Sequence, residues 1–302
     1  MERRFGLFCK SFRDDLRRFE RLYASVEAHV EARLPFLVSV PRADLALFEG
    51  RFGKGRIDFV TDEALVGRDI VQSWRMQQVV KLCAWKADFA DAFLMLDSDF
   101  YFIRPFGASD FLHPDGRLRF VLSRTFHKYE AGNAPLRALL RDGVSLDPVT
   151  SEECRSFPRG DTRFGDLAPW RPWLDAITRP TYDERKKRIR RVFRRSGPDL
   201  QVMPGPIWSR AAHAAFHRDF LEPRRLDAFD LIRHAPWEYL WHAEWRLASG
   251  LEDAAPSEPL FLHFASDDAI EHARAAGLRL SDFARHYAGL SLAARHQEIE
   301  EY

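Results

Sequence analysis

Residues 93 to 103 of the chain read Phe93-Leu94-Met95-Leu96-Asp97-Ser98-Asp99-Phe100-Tyr101-Phe102-Ile103, an apolar run that two acids interrupt. A short, continuous apolar segment of this kind is typical of a central strand that is buried on both faces of a sheet. Two carboxylates about 4 Å apart repel each other by roughly 4 kcal/mol at an effective dielectric constant near 20. A bound cation, a basic partner or protonation of one acid would relieve this repulsion.

A divalent metal ion is the simplest partner for Asp97 and Asp99. The i, i+2 spacing places both side chains on one side of an extended backbone. Hard cations such as Mg2+ and Mn2+ bind carboxylate oxygens together with the oxygens of a diphosphate. The alternative interpretation is a solvated turn at the end of a strand.

The segment Leu96-Asp97-Ser98-Asp99, preceded by an apolar strand, resembles the Asp-x-Asp motif of glycosyltransferases with the GT-A fold. In that family the motif holds a metal ion that grips the diphosphate of a nucleotide-sugar. The resemblance, which extends to a group of uncharacterised bacterial glycosyltransferase-like proteins, implies a nucleotide-diphosphate-sugar donor, a glycan or glycolipid acceptor, and Mn2+ or Mg2+ as cofactor. Cell-surface polysaccharide synthesis is one setting in which such an enzyme works.

Composition describes an ordinary globular protein. The chain has 302 residues, of which 46% are hydrophobic, enough for a sizeable core. Its 46 basic and 45 acidic residues give a net charge of +1, so overall charge does not favour nucleic acid or a membrane surface as partner. Three widely separated cysteines fit neither a disulfide framework nor a zinc site. With no signal-peptide pattern and no run of 18 apolar residues, we expect a cytoplasmic protein without a membrane span.

Strands and helices alternate along the first hundred residues. Apolar strand patterns occupy 5–9, 35–41 and 56–61, and a helical pattern occupies 12–26. Alternation of this kind predicts an α/β fold with a mostly parallel sheet flanked by helices, which the resemblance specifies as a Rossmann-like GT-A fold. We expect a single domain over residues 1–302, with a nucleotide-sugar-binding half at about 1–125. The acceptor-binding and catalytic half, at about 126–302, contains a helical acceptor-side insertion.

Two segments are candidates for contact with the nucleotide-sugar. The turn after the first strand touches the nucleotide in GT-A enzymes, so the resemblance makes Lys10, Ser11 and Arg13 candidates. Residues 73–86 form an amphipathic helix with Ser73 as N-cap, and Gln78 and Lys81 border its apolar stripe. Lys81 could neutralise a phosphate as a point charge. The alternatives are solvated charges around a helix cap and a surface lysine that lies along apolar neighbours.

Three later residues are candidates on the acceptor side. The segment around Trp208 resembles the part of glycosyltransferases in which an aromatic residue beside a Pro/Gly turn packs on the acceptor sugar, and a core tryptophan is the alternative. Trp237 is a second aromatic candidate. In inverting GT-A enzymes an acid at a comparable helix start accepts the proton of the acceptor hydroxyl, which makes Glu238 the expected general base. Glu244 competes for that role, and a helix-capping acid is the alternative for Glu238.

A histidine and a basic run complete the candidates. Many GT-A enzymes complete the metal site with a late histidine, here His263, although a core histidine is the alternative. The basic run at 185–195 could meet an anionic acceptor or a membrane face peripherally, or could form a solvated helix face. Phe193 is the only aromatic residue in the run, which argues against nucleic acid. The spacing of Ile189, Val192 and Phe193 suits a helix that docks by a narrow apolar edge.

The sequence therefore predicts a metal-dependent GT-A glycosyltransferase in which Asp97, Asp99 and His263 hold the cation, with an inverting mechanism favoured over a retaining one. Two alternatives are a phosphotransferase or phosphatase of the haloacid-dehalogenase type and a sugar- or nucleotide-binding module without turnover. In the haloacid-dehalogenase type the Asp-x-Asp motif lies at the end of the first strand of the domain, whereas here it lies at the end of a later strand.

Overall fold

The structure, a computed structural model, describes residues 4–53, 56–121, 128–129, 189–193, 205–250, 253–257 and 259–292. Most of the predicted acceptor-side insertion, from about 130 to 200, lies outside the described residues. The strands are β1 (Phe5–Lys10), β2 (Phe36–Val40), β3 (Ile57–Thr61), β4 (Ala92–Asp97), β5 (Phe100–Phe102), β6 (Leu118–Val121), β7 (Lys128–Tyr129), β8 (Ile207–Ser209), β9 (Ala254–Ser257), β10 (Phe261–Phe264) and β11 (Gly289–Leu292). The α-helices are α1 (Leu16–His29), α2 (Leu45–Phe52), α3 (Asp62–Val66), α4 (Trp74–Cys83), α5 (Arg210–Ala215), α6 (Ala228–His234), α7 (Glu238–Ser249), α8 (Asp267–Ala275) and α9 (Leu280–Ala284).

The main sheet has the strand order β3-β2-β1-β4-β8. Strands β1 to β4 run parallel, and β8 joins β4 antiparallel at the edge. The chain moves outward from β1 to β3 and then returns to place β4 on the other side of β1. Ligands of open α/β sheets bind outside the carboxyl ends of the strands at such a reversal of strand order. The prediction of an α/β fold with a mainly parallel sheet is confirmed.

The two faces of this sheet are covered by different helices because the side chains of each strand alternate between the faces. Leu94 and Leu96 of β4 belong to the same core cluster as Phe19 of α1. Phe93 and Met95 belong to a second cluster on the other face, which includes the buried apolar stripe of α4. All residues of β4 before Asp97 are buried, as expected of a central strand covered on both sides.

Helix α4 begins where the sequence predicts. The Ser73 hydroxyl accepts a hydrogen bond from the Met76 amide at 3.2 Å, which satisfies one of the free N–H groups of the first turn. Val79, Val80 and Cys83 are buried on the stripe that faces the sheet. The cap and the stripe together set the rotation of the helix, and therefore the direction in which its remaining side chains point.

A second sheet, of order β5-β11-β10-β7, carries the later elements of the chain. Strand β5 follows the Asp97-Ser98-Asp99 turn directly, so this turn connects the two sheets. The basic run is described only at 189–193, where Ile189, Val192 and Phe193 are buried, as their spacing predicts. No helix within the described ranges is long and apolar enough to cross a membrane.

Candidate functional site at the carboxyl edge of the main sheet

Polar and charged residues meet where the parallel strands β1 to β4 end. Lys10 ends β1 and is in register with Ser39 of β2 and with Asp97 of β4, while Asp62 follows β3. Because the carboxyl ends of parallel strands share one edge of a sheet, residues far apart in sequence come together here. The edge lies at the reversal of strand order between β1 and β4, and it is therefore the candidate site.

Lys81 lies between two carboxylates. Its Nζ is 2.5 Å from Oδ1 of Asp97 and 3.4 Å from Oε1 of Glu238. Lys81 comes from α4 and Glu238 is the first residue of α7, and both side chains are buried. With its amide nitrogen facing the carboxylate, Gln78 donates hydrogen bonds to both oxygens of Glu238, at 3.1 Å to Oε1. The contacts thus connect β4, α4 and α7 through one buried ammonium group.

The charges around Lys81 favour its protonated form. Burial lowers the pKa of Lys81, but the carboxylates of Asp97 and Glu238 outweigh burial, and the pKa of the ammonium is raised above its usual value. Burial raises the pKa of Glu238, and the positive charge of Lys81 opposes that rise. Lys81 therefore stays protonated, and its positive charge lies at the carboxyl edge of the sheet.

Asp99 has the less satisfied of the two carboxylates in the Asp97-Ser98-Asp99 turn. Its Oδ1 is buried and has no hydrogen-bond partner among the residues that the structure describes. Burial, followed by repulsion from Asp97, raises the pKa of Asp99 to about 7. The turn itself is fixed, because Ser98 donates a hydrogen bond to Asp15 at 3.0 Å and the Leu292 amide donates to the Asp99 carbonyl at 3.1 Å. A buried carboxylate oxygen without a donor, beside a second carboxylate, suits a hard divalent cation.

His263, the third predicted metal ligand, lies in β10 of the second sheet. Its Nδ1 is 3.1 Å from Oγ of Ser291, which is its register partner in β11. Strand β11 separates β10 from β5, so the backbones of His263 and Phe100 are two strands, or roughly 10 Å, apart. Within the described ranges, no three His, Cys, Asp or Glu side chains form a group that could hold a metal. Ligation by His263 stays a prediction.

The structure assigns Lys10 to an internal ion pair, whereas the sequence placed it on the nucleotide-binding rim. Its Nζ lies 3.0 Å from Oδ2 of Asp62 and donates to the Ser11 carbonyl at 2.6 Å. Ser11 is also fully buried. Arg13 is exposed over more than half of its side chain, and its Nε donates to Asp44 at 2.6 Å. Of these three candidates, Arg13 is the one whose charge faces solvent.

The two aromatic acceptor candidates differ in exposure. Trp208 is only 1% exposed, and its ring stacks on that of His213 with centroids 4.0 Å apart. It is therefore a core residue of the β8 edge, not a platform open to a sugar, because β8 pairs with β4 and turns the indole inward. Trp237 is partly buried and directly precedes α7, beside Glu238.

Sequence reasoning missed two residues around the site, Asp62 and Trp74. Asp62 accepts hydrogen bonds from Ser39 at 2.5 Å and from Gln72 at 2.9 Å, in addition to its pairing with Lys10. The position of Asp62 directly after the predicted strand β3 could have identified it from the sequence. The other omission is Trp74, which is 56% exposed at the start of α4. It lies four and seven residues before Gln78 and Lys81, and therefore on the same face of the helix.

Comparisons with known proteins match the chain to a family of unknown function and to solved structures at low identity. A family model described as a family of unknown function, DUF6492, matches residues 7–132, a range that includes Lys81, Asp97 and Asp99. No curated protein matches the chain. Among solved structures, the chain is similar to the apo form of mouse xyloside xylosyltransferase 1, with 8% identity and a TM-score of 0.45, over 95% of this chain and 97% of that one.

Proposed function

We propose that the protein is a glycosyltransferase that binds a nucleotide-diphosphate-sugar through a divalent cation at Asp97 and Asp99. The observation that carries the proposal is the Asp99 carboxylate, whose buried Oδ1 has no hydrogen-bond donor in the described parts of the chain. It lies beside Asp97 at the carboxyl end of a central strand, where the strand order reverses. A cation bridging these carboxylates and a diphosphate would satisfy that oxygen.

Each residue of the site has a chemical role in this proposal. Asp97 and Asp99 would hold Mn2+ or Mg2+, and His263 is the proposed third ligand. When bound, the metal ion supplies charge stabilisation to the departing diphosphate. Lys81, whose Nζ is 2.5 Å from Oδ1 of Asp97, adds a positive charge to the site. The hydrogen bond of Ser98 to Asp15 keeps the turn in one conformation.

A glycan or glycolipid is the proposed acceptor class, and Trp237 is the aromatic residue whose partial exposure fits contact with a sugar ring. An inverting mechanism requires a carboxylate that reaches the acceptor hydroxyl. Glu238 is instead directed at Lys81 and Gln78 and is buried. Its position therefore gives no support to the inverting over the retaining type.

The phosphatase alternative does not fit the topology. Asp97 closes β4, the fourth strand along the chain, and β1 ends instead in Lys10. A carboxylate nucleophile in the manner of the haloacid-dehalogenase type would be expected at the end of the first strand. A binding module without turnover has the same geometry as an enzyme, and only a transfer or hydrolysis measurement separates the two.

The test is release of nucleoside diphosphate from a panel of UDP- and GDP-sugars in the presence of Mn2+. Slow hydrolysis of the donor makes the assay independent of the unknown acceptor. We expect release by the wild type, and a loss of about 100-fold or more in Asp99→Asn. Asp69→Asn, at an acid whose side chain is 87% exposed, is the matched control and should keep wild-type release. Equal release by Asp99→Asn would contradict the proposal, and binding without release would indicate the module.

A further inference from the structure

Lys81 contacts the carboxylate that the proposed function assigns to a divalent cation. Its Nζ lies 2.5 Å from Oδ1 of Asp97, within charge-assisted hydrogen-bond distance. An ammonium group and a divalent cation on one carboxylate repel each other strongly in a buried setting. Lys81 is thus an internal competitor for the cation at Asp97.

Glu238 gives Lys81 a second carboxylate within reach. Its Oε1 is 3.4 Å from the same Nζ, and its side chain is buried. Gln78 lies one turn before Lys81 on α4 and donates to the Glu238 carboxylate, which fixes that group at the start of α7. One ammonium group therefore lies between two anions, with the shorter contact to Asp97.

We propose that Lys81 and the divalent cation exchange partners, with Glu238 as the counter-ion that retains Lys81 when the cation takes Asp97. The inference rests on the proposed function of Asp97 and Asp99. In this role Glu238 is a positioning residue that acts through Lys81, and it does not deprotonate the acceptor. Lys81 moves by a small rotation of its side chain, because both carboxylates already lie within 3.4 Å of its Nζ.

The exchange predicts opposite effects for two variants. In Glu238→Gln, Lys81 has only Asp97 as a charged partner in this cluster, and the affinity for Mn2+ should fall by about tenfold or more. In Lys81→Met the competitor is gone, and the affinity should rise by a similar factor. General damage to the site would instead lower the affinity in both variants.

A double variant guards against misfolding of Lys81→Met, which leaves the buried Glu238 and the partly buried Asp97 without the Lys81 ammonium group. Lys81→Met combined with Glu238→Gln removes the ammonium and one carboxylate together. Because the competitor is absent, the double variant should bind Mn2+ more tightly than Glu238→Gln alone. If Lys81 and Glu238 had a purely structural role, the double variant would bind Mn2+ more weakly than Glu238→Gln, because each of the two substitutions would weaken the site.

The experiment is calorimetric titration of the folded, full-length protein with Mn2+ alone. Asp69→Asn is the control, because Asp69 is an exposed acid that pairs with Arg42 outside this cluster, and it should bind as the wild type does. The exchange is supported if Glu238→Gln weakens binding and the double variant restores it. It is overturned if the double variant binds no better than Glu238→Gln, or if Glu238→Gln binds as the wild type does. Absence of Mn2+ binding by the wild type would overturn the proposed function and the exchange together.

Discussion

The Nζ of Lys10 lies 3.0 Å from Oδ2 of Asp62, and both side chains are completely buried. Ser39 and Gln72 donate two further hydrogen bonds to the same carboxylate. The pair therefore connects the ends of β1, β2 and β3 to the segment that leads into α4. Burial lowers the pKa of Lys10 and raises that of Asp62, while their mutual attraction opposes both shifts.

Removal of one partner from this pair should be costly. Asp62→Ala leaves the Lys10 ammonium buried without its counter-ion, and we expect the free energy of unfolding to fall by about 3–5 kcal/mol. Asp69→Ala is the control, because Asp69 pairs with Arg42 at the surface, where such a change is worth about 0.5 kcal/mol or less. Urea unfolding at pH 7.5 measures both. Similar losses in the two variants would contradict the assignment of Lys10 to an internal pair.

Acid should destabilise the protein through a pair of stacked histidines. His213 and His242 have ring centroids 3.7 Å apart, and burial lowers the pKa of both far below 6.5. The folded state keeps them neutral while the unfolded state binds protons below pH 6.5. Stability from this source is therefore complete above pH 6.5 and lost progressively below it, by roughly 1 kcal/mol per histidine at pH 5.5. Urea unfolding at pH 7.5 and 5.5 measures the difference.

A variant identifies the source of this acid sensitivity. His242→Phe removes one titrating group from the stack, and it should reduce the loss of stability between pH 7.5 and 5.5 by about 1 kcal/mol. His217, whose pKa burial lowers to about 4, continues to contribute in the variant. If His242→Phe lost as much stability between pH 7.5 and 5.5 as the wild type, groups other than His242 would account for the acid sensitivity.

Trp208 should behave as a core residue. Trp208→Ala is expected to lower the free energy of unfolding by about 3–5 kcal/mol, because the indole packs against Phe93 and His213. Trp74→Ala, at a largely exposed tryptophan, should change it by about 0.5 kcal/mol or less. Thermal or urea unfolding checks both. If Trp208→Ala unfolded with the free energy of the wild type, Trp208 would not be a core residue and would again be a candidate for contact with the acceptor.

Two glycine-to-alanine substitutions should change the stability of the protein in opposite directions. A Cβ at Gly289 in β11 would collide with the Phe261 ring and the Tyr101 carbonyl, so Gly289→Ala should lower stability by roughly 1–3 kcal/mol. Gly50 lies within α2 with open space around the position of a Cβ. Gly50→Ala should raise stability by about 0.5–1 kcal/mol, through helix propensity and a less flexible unfolded chain. Loss of stability in both variants would contradict this account of the two positions.

Local patterns were enough to predict much of the fold. The apolar run before Asp97, the strands near residues 5, 36 and 57, and the Ser73 cap of α4 all occur as predicted. These features depend on neighbouring residues, and the sequence displays them directly. The reversal of strand order follows from packing of helices on both faces, which alternation of elements already indicated.

The candidate site was harder to predict because its contacts join distant residues. Lys10 was placed correctly at a strand end, but its partner Asp62 depends on the register of three strands. Glu238 was recognised at a helix start, yet the sequence does not show that α7 packs it against Lys81. Trp208 was ambiguous because its burial depends on the pairing of β8 with β4.

The most direct test of the central claim is calorimetric titration of the protein with UDP and GDP, with and without Mn2+, in the wild type and in Asp99→Ala. The proposed site predicts that at least one nucleoside diphosphate binds to the wild type when Mn2+ is present. It also predicts that binding is lost without the metal and in Asp99→Ala, because the carboxylates hold the cation that holds the diphosphate. Equal binding by a well-folded Asp99→Ala protein, or no binding to the wild type at any concentration of Mn2+, would contradict the claim.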